Sequence, residues 1–114
     1  MNTITIDVRP LAETLGDFAQ AWKHGKPSAP RISFDSPAVL FKVFSGKRWE
    51  LLNMLTSAAP MSIREAARRT GRDVKAVHGD VTALLKAGLL TKTDDGQIVF
   101  PYDAIHVDFL LKAA

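Results

Sequence analysis

Apolar positions along this chain recur every second residue at its start, every third or fourth through its middle, and every second again near its end. Ile4, Ile6 and Val8 alternate with Thr3, Thr5 and Asp7, which predicts a half-buried strand. Pro10 suits the first turn of a helix. After it, Leu11, Leu15, Phe18 and Trp22 recur at spacings of four, three and four, predicting a helix to about Lys23 with one apolar stripe. The stripe either packs on the domain or pairs with a second copy. It falls short of the ~3–4 heptads of an independent coiled coil, so core packing is favoured. His24 to Pro30 holds Gly, Ser and two prolines without periodicity and reads as a linker. Residues 1–30 are thus expected to form an N-terminal strand-helix extension, and 31–111 the main domain.

Ile32 and Phe34 alternate inward in a short second strand starting at Arg31. Ser36-Pro37 is an N-cap followed by proline at the first helical position, and a short helix follows with Val39, Leu40 and Val43 buried. Ser45 reads as the cap of a helix from about Gly46 to Ala58. Trp49, Leu51, Leu52 and Leu55 supply its core face, and Pro60 ends it.

The central stretch, Ser62 to Gly88, reads as two helices joined by a tight turn. Ser62 with Glu65 three positions on is a capping box, each side chain satisfying a backbone N–H of the first turn. Ile63, Ala66 and Ala67 give a small apolar face. Thr70 and Gly71 break the helix, since glycine takes the positive φ that ends one. Asp73 caps the second helix. Val74, Val77, Val81, Leu84 and Leu85 fall on one of its faces, and Lys75, Ala76, His78, Gly79 and Thr82 on the other. A capped short helix, a glycine turn and a longer helix with a polar outer face make a helix-turn-helix pattern. Beyond Gly88, Leu89–Thr93 and Gln97–Pro101 flank Asp94-Asp95-Gly96, a hairpin signal. From Ala104 to Leu111, Ile105, Val107 and Phe109 alternate with His106 and Asp108 in a strand that needs a partner, either the N-terminal strand or another chain.

At 114 residues, 46% apolar and 24% charged, the chain fits one soluble domain with its own core. It has no cysteine, which excludes disulfides, thiolate chemistry and zinc fingers. No apolar run approaches the ~18 residues of a membrane span, and the first residues do not resemble a signal peptide. A cytoplasmic protein without a membrane role is expected. Charge is split: Lys42 to Lys92 holds ten Lys/Arg against four Asp/Glu, a net of +6, and with +3 overall the rest carries −3. A basic region of this kind attracts polyanions through counterion release.

The run from Ser33 to Val107 resembles the MarR-like winged-helix transcriptional regulators of prokaryotes, in a branch whose members look like antitoxins encoded beside a small toxin. The likeness rests on Phe34-Asp35-Ser36-Pro37, Lys47-Arg48-Trp49-Glu50-Leu51-Leu52, Ser62-Ile63-Arg64-Glu65, Gly71-Arg72-Asp73-Val74-Lys75-Ala76-Val77-His78 and Pro101-Tyr102-Asp103. It covers about Arg31 to Phe109. It implies an α+β winged helix-turn-helix domain whose recognition helix, Val74 to Ala87, enters the major groove of double-stranded DNA. Relatives tend to carry a basic or polar side chain at the position of Gly79, and the Asp94-Asp95 wing tip would repel a minor groove.

On this reading Lys75 and His78 reach base edges, beside Ala76 and Gly79, and Thr82 reaches a base or a phosphate. Arg68 and Arg72 grip phosphate, as do Arg64 and Arg69. Gly79 either lets the helix approach DNA closely or is a tolerated surface glycine, at ~1 kcal/mol against alanine. The expected activity is that of an autorepressor acting as a homodimer, with a cognate toxin as a further partner. The dimer surface is either the first helix or the last strand. The alternative is a winged-helix protein-interaction module that neutralises a partner without specific DNA binding. The acidic residues Asp7, Glu13 and Asp17 at one end and Asp103 and Asp108 at the other suit a basic partner. Catalysis is not expected: Asp94 and Asp95 are adjacent in a turn and cannot oppose each other as acid and base, and no glycine-rich phosphate loop follows a strand. His24, His78 and His106 lack ligand spacing, so no metal or cofactor is expected.

Overall fold

A computed structural model describes residues 2–9 and 30–110. In chain order the elements are β1 (Thr3–Val8), β2 (Arg31–Phe34), α1 (Pro37–Val43), α2 (Gly46–Leu55), α3 (Ile63–Thr70), α4 (Val74–Lys86), β3 (Thr91–Lys92), β4 (Ile98–Val99) and β5 (Ala104–Asp108). The architecture is α+β. The helix expected over 10–23, and the linker up to Ala29, lie outside the described residues. Among the described residues no helix is long and apolar enough to cross a membrane.

Two compact units divide the chain: Met1–Lys42 with Ala104–Ala114, and Val43–Asp103. The division falls away from the compositional boundary at residue 30, because β1 pairs with β2 and β5, both of which lie beyond that boundary. In the first unit β1 is the middle strand of a parallel sheet ordered β2-β1-β5. Val8 lies beside Phe34, Ile4 beside Ile105 and Ile6 beside Val107. The alternation in β1 therefore buries Ile4 and Ile6. It also buries Asp7, which the sequence placed on the polar side. An ionised carboxylate out of water must be paired: the Ser33 hydroxyl donates to Asp7 Oδ1 at 2.6 Å and Arg31 Nε lies 3.1 Å from Oδ2. The final strand takes its partner within the chain, β1, and ends at Asp108 rather than Leu111.

In α1 the Ser36 hydroxyl oxygen accepts from Val39 N–H at 3.3 Å. Of the three residues expected to be buried, only Leu40 is; Val43 is half-buried and Val39 exposed. The Phe41 ring is exposed and meets Phe109 edge-on at 5.7 Å.

The second unit packs α2, α3 and α4 around Leu51, Leu52, Leu55, Ala66, Ala67, Val77, Val81 and Leu84, closed by Leu89, Leu90, Ile98 and Phe100. Trp49 does not join this core; it is exposed, with its ring edge-on to Phe44 at 5.5 Å. Ser45 occupies the N-cap position of α2, but its side chain makes no capping bond. The expected hairpin forms as two short antiparallel strands around a turn in which Gly96 has φ 83°. Met61 adds an unforeseen rung: Ile98 N–H donates to Met61 O at 2.7 Å and Met61 N–H to Ile98 O at 3.1 Å. β4 is thereby hydrogen-bonded along both sides and fixed beside the start of α3.

Candidate nucleic-acid interface

α3 begins as the sequence predicts, with the Ser62 hydroxyl oxygen accepting from Glu65 N–H at 3.1 Å. The reciprocal half of the expected capping box is absent. The Glu65 carboxylate instead takes the Nε–H of Arg68 and of Arg69, each at 2.8 Å, and a further short contact from Arg68 Nη2. Hydrogen bonds from Arg68 first, then Arg69, hold the Glu65 carboxyl down to about 2, and Glu65 in turn raises the Arg68 guanidinium above its ordinary value. Arg68 and Arg69 remain exposed, and Arg64 is exposed with no ion pair among the described residues. Three guanidiniums and one carboxylate leave this helix face with two positive charges.

Gly71 ends α3 at φ 66°, the left-handed conformation that side chains with a Cβ resist. With the chain reversed there, Arg72 N–H donates to Ala67 O at 3.0 Å. Asp73 Oδ2 then accepts from Lys75 N–H at 3.1 Å and Ala76 N–H at 3.4 Å, starting α4. Val77, Val81 and Leu84 of α4 are buried and Leu85 half-buried. Val74, expected on the same face, is 44% exposed because it stands at the open first turn.

The outer face of α4 presents Lys75, Ala76, His78 and Gly79, all exposed. A Cβ built on Gly79 meets nothing within 4 Å, so no packing within the chain requires glycine there. Thr82 is half-buried and its hydroxyl donates to His78 O at 2.8 Å, an internal bond that leaves the oxygen only as an acceptor.

Arg72 departs from the expected phosphate-gripping role. Its Nη2 donates to Asp80 Oδ2 at 2.7 Å, and its side chain is only 16% exposed. The other oxygen of Asp80 accepts from Arg48 Nε at 3.0 Å, and Arg48 Nη1 donates to Val43 O at 3.2 Å. Burial pushes the Asp80 carboxyl up, but the hydrogen bonds from Arg72 and Arg48 outweigh it and hold the group below its ordinary value. This bridge ties α2 and the turn before α4 to α4 itself. Arg48, at the start of α2, is thus occupied within the protein.

Asp80 was not among the residues singled out from sequence, although its position carried a signal. It lies three residues after Val77 and four before Leu84, within the apolar stripe of α4, where a charge must find a partner.

A family model described as HVO_A0114 matches residues 43–107, more than half of the chain, and the chain belongs to that family. The match starts at the first residue of the second unit and runs through most of β5. No curated protein and no solved structure matches the chain.

Proposed function

We propose that this member of the HVO_A0114 family is a winged helix-turn-helix regulator that binds duplex DNA sequence-specifically and, as a cytoplasmic homodimer, represses its own promoter. In this reading α3 and α4 are the helix-turn-helix pair, α4 lies in the major groove, and the β3–β4 hairpin is the wing. One observation carries it: the outer face of α4 is exposed from Lys75 to Gly79 apart from buried Val77, with open space over Gly79. Lys75 and His78 offer donors to base edges, and the small Ala76 and Gly79 that follow each of them permit close approach. Arg64, Arg68 and Arg69 on α3 supply phosphate contacts, which set affinity and register. A phosphate displaces Glu65 from Arg68 at little cost, since water already screens an exposed ion pair of this kind.

Selection from a random duplex pool on the full chain tests the reading. An enriched motif of two half-sites about one helical turn apart, bound more weakly as salt rises, is the expected result. No retention of DNA at about 50 mM salt removes DNA binding from the account. Asp103 and Asp108, both exposed, support a second partner, a basic toxin encoded beside this chain, whereas Asp7, buried against Ser33 and Arg31, does not contribute to that surface. Co-purification with the adjacent reading frame's product tests that, and the absence of a complex at micromolar concentration counts against it.

A protein-interaction module is the competing reading. Asp94 and Asp95, both exposed at the hairpin tip, favour it, since carboxylates there repel phosphate.

A further inference from the structure

β5 is an edge strand. β1 covers one side of it, and among the described residues no strand covers the other. Such an edge carries unpaired backbone N–H and C=O groups and templates another strand. The apolar face of the sheet runs out to this edge: Ile105 lies beside Ile4 and Val107 beside Ile6, yet Val107 is 42% exposed while Ile4 and Ile6 are buried. The exposed Phe41 ring against Phe109 continues this apolar surface. His106 and Asp108, both exposed, take the opposite face.

We propose that β5 pairs antiparallel with β5 of a second copy about a two-fold axis through Val107, joining two sheets into one. This deepens the proposed homodimer and rests on it. The choice of partner follows from the order of side chains. A two-fold antiparallel pair sets equal offsets from its centre against each other. Centred on Val107, the pairing puts Val107 against Val107, Ile105 against Phe109, and His106 against Asp108 twice. Centred on Asp108 it would oppose two carboxylates; centred on His106 it would oppose two imidazoles and leave Asp108 facing Ala104. Val107 is the centre at which each polar side chain meets its complement and the apolar face stays continuous. A one-residue slip mixes the two faces and is excluded by the pleat.

The chain has no cysteine, so a single introduced thiol reports the axis. Val107→Cys is expected to form a disulfide-linked dimer under mild oxidation, because facing residues lie within disulfide reach. Ala104→Cys is expected to stay unlinked, since the two copies of that position are about 20 Å apart in this register. His106→Asp should raise the dimer dissociation constant about tenfold by placing like charges opposite, measured by sedimentation equilibrium. The double variant His106→Asp/Asp108→His should recover the parental value, and it keeps the fold comparison fair because both changes sit on exposed positions. A dimer by sedimentation in which Val107→Cys stays unlinked overturns this interface and leaves the homodimer. A monomer at every concentration overturns both. Failure of the double variant to recover overturns the register.

Discussion

Two carboxylates each hold two arginines in this protein, and they do different things with them. Glu65 gathers Arg68 and Arg69 on the open side of α3, all three from one helix within four residues. Asp80 gathers Arg48 and Arg72 from positions 32 and eight residues away, with side chains only 15–25% exposed. Chemically the clusters are alike. Water separates them: around Glu65 it screens the attraction and lets a phosphate compete, and around Asp80 it is largely excluded, so a lost partner leaves a charge stranded. Arg72 Nη1 already has no hydrogen-bond partner among the described residues, which leaves the buried cluster little slack. Basic residues that look equivalent in a sequence therefore divide into cations available to a ligand and cations consumed by the fold.

The sharpest way to break this contrast is Asp80→Asn. It strands Arg48 and Arg72 and is expected to destabilise folding by about 2–3 kcal/mol in urea denaturation, below the range for a fully buried pair because some exposure remains. Parental stability at 25 °C after this change would erase the distinction between the clusters. Acid titration separates them next. The folded Asp80 carboxyl lies below its ordinary value of 3.8. Its contribution is therefore intact above that pH and is lost as pH falls through the lower folded value. Denaturation midpoints between pH 5 and 2 should fall more steeply in the parent than in Asp80→Asn.

Arg68→Ala should leave the denaturation midpoint essentially at the parental value while lowering affinity for any duplex and flattening the salt dependence by about one unit of slope; an unchanged slope would place Arg68 outside the interface. The smallest effect is expected from Glu65→Gln. It releases Arg68 and Arg69 while the Ser62 cap, which binds the backbone at residue 65, persists. Binding should tighten by a few-fold at low salt and the gain should vanish at high salt. A weaker complex would mean that Glu65 positions the arginines for DNA.

Local chemistry was readable from the residues themselves. The Ser62 and Asp73 caps, the left-handed Gly71 and the hairpin around Gly96 all follow from side chains acting within four positions. Partners distant in the sequence were not readable. Nothing in the hairpin announces Met61 as its third rung, and nothing near Arg72 announces Arg48. Exposure was also misjudged where an apolar pattern reaches an element's first turn or outer edge, as at Val74, Val39 and Trp49. Periodicity gives the face of a helix, but neighbours decide how far along that face burial extends. Of the candidate interface, the exposure of Lys75, His78, Arg64, Arg68 and Arg69 was legible in the sequence. It was misread at Arg72, whose carboxylate lies one helix face away.

β1 and β5 meet across about a hundred residues of intervening chain. While the protein is being synthesised, the nascent first strand must wait until its last neighbour leaves the ribosome before the sheet is complete. The helical unit, whose contacts all lie between, can close earlier. Contacts so remote in sequence are slow to form, so the order of assembly is written into the topology: helices first, sheet last.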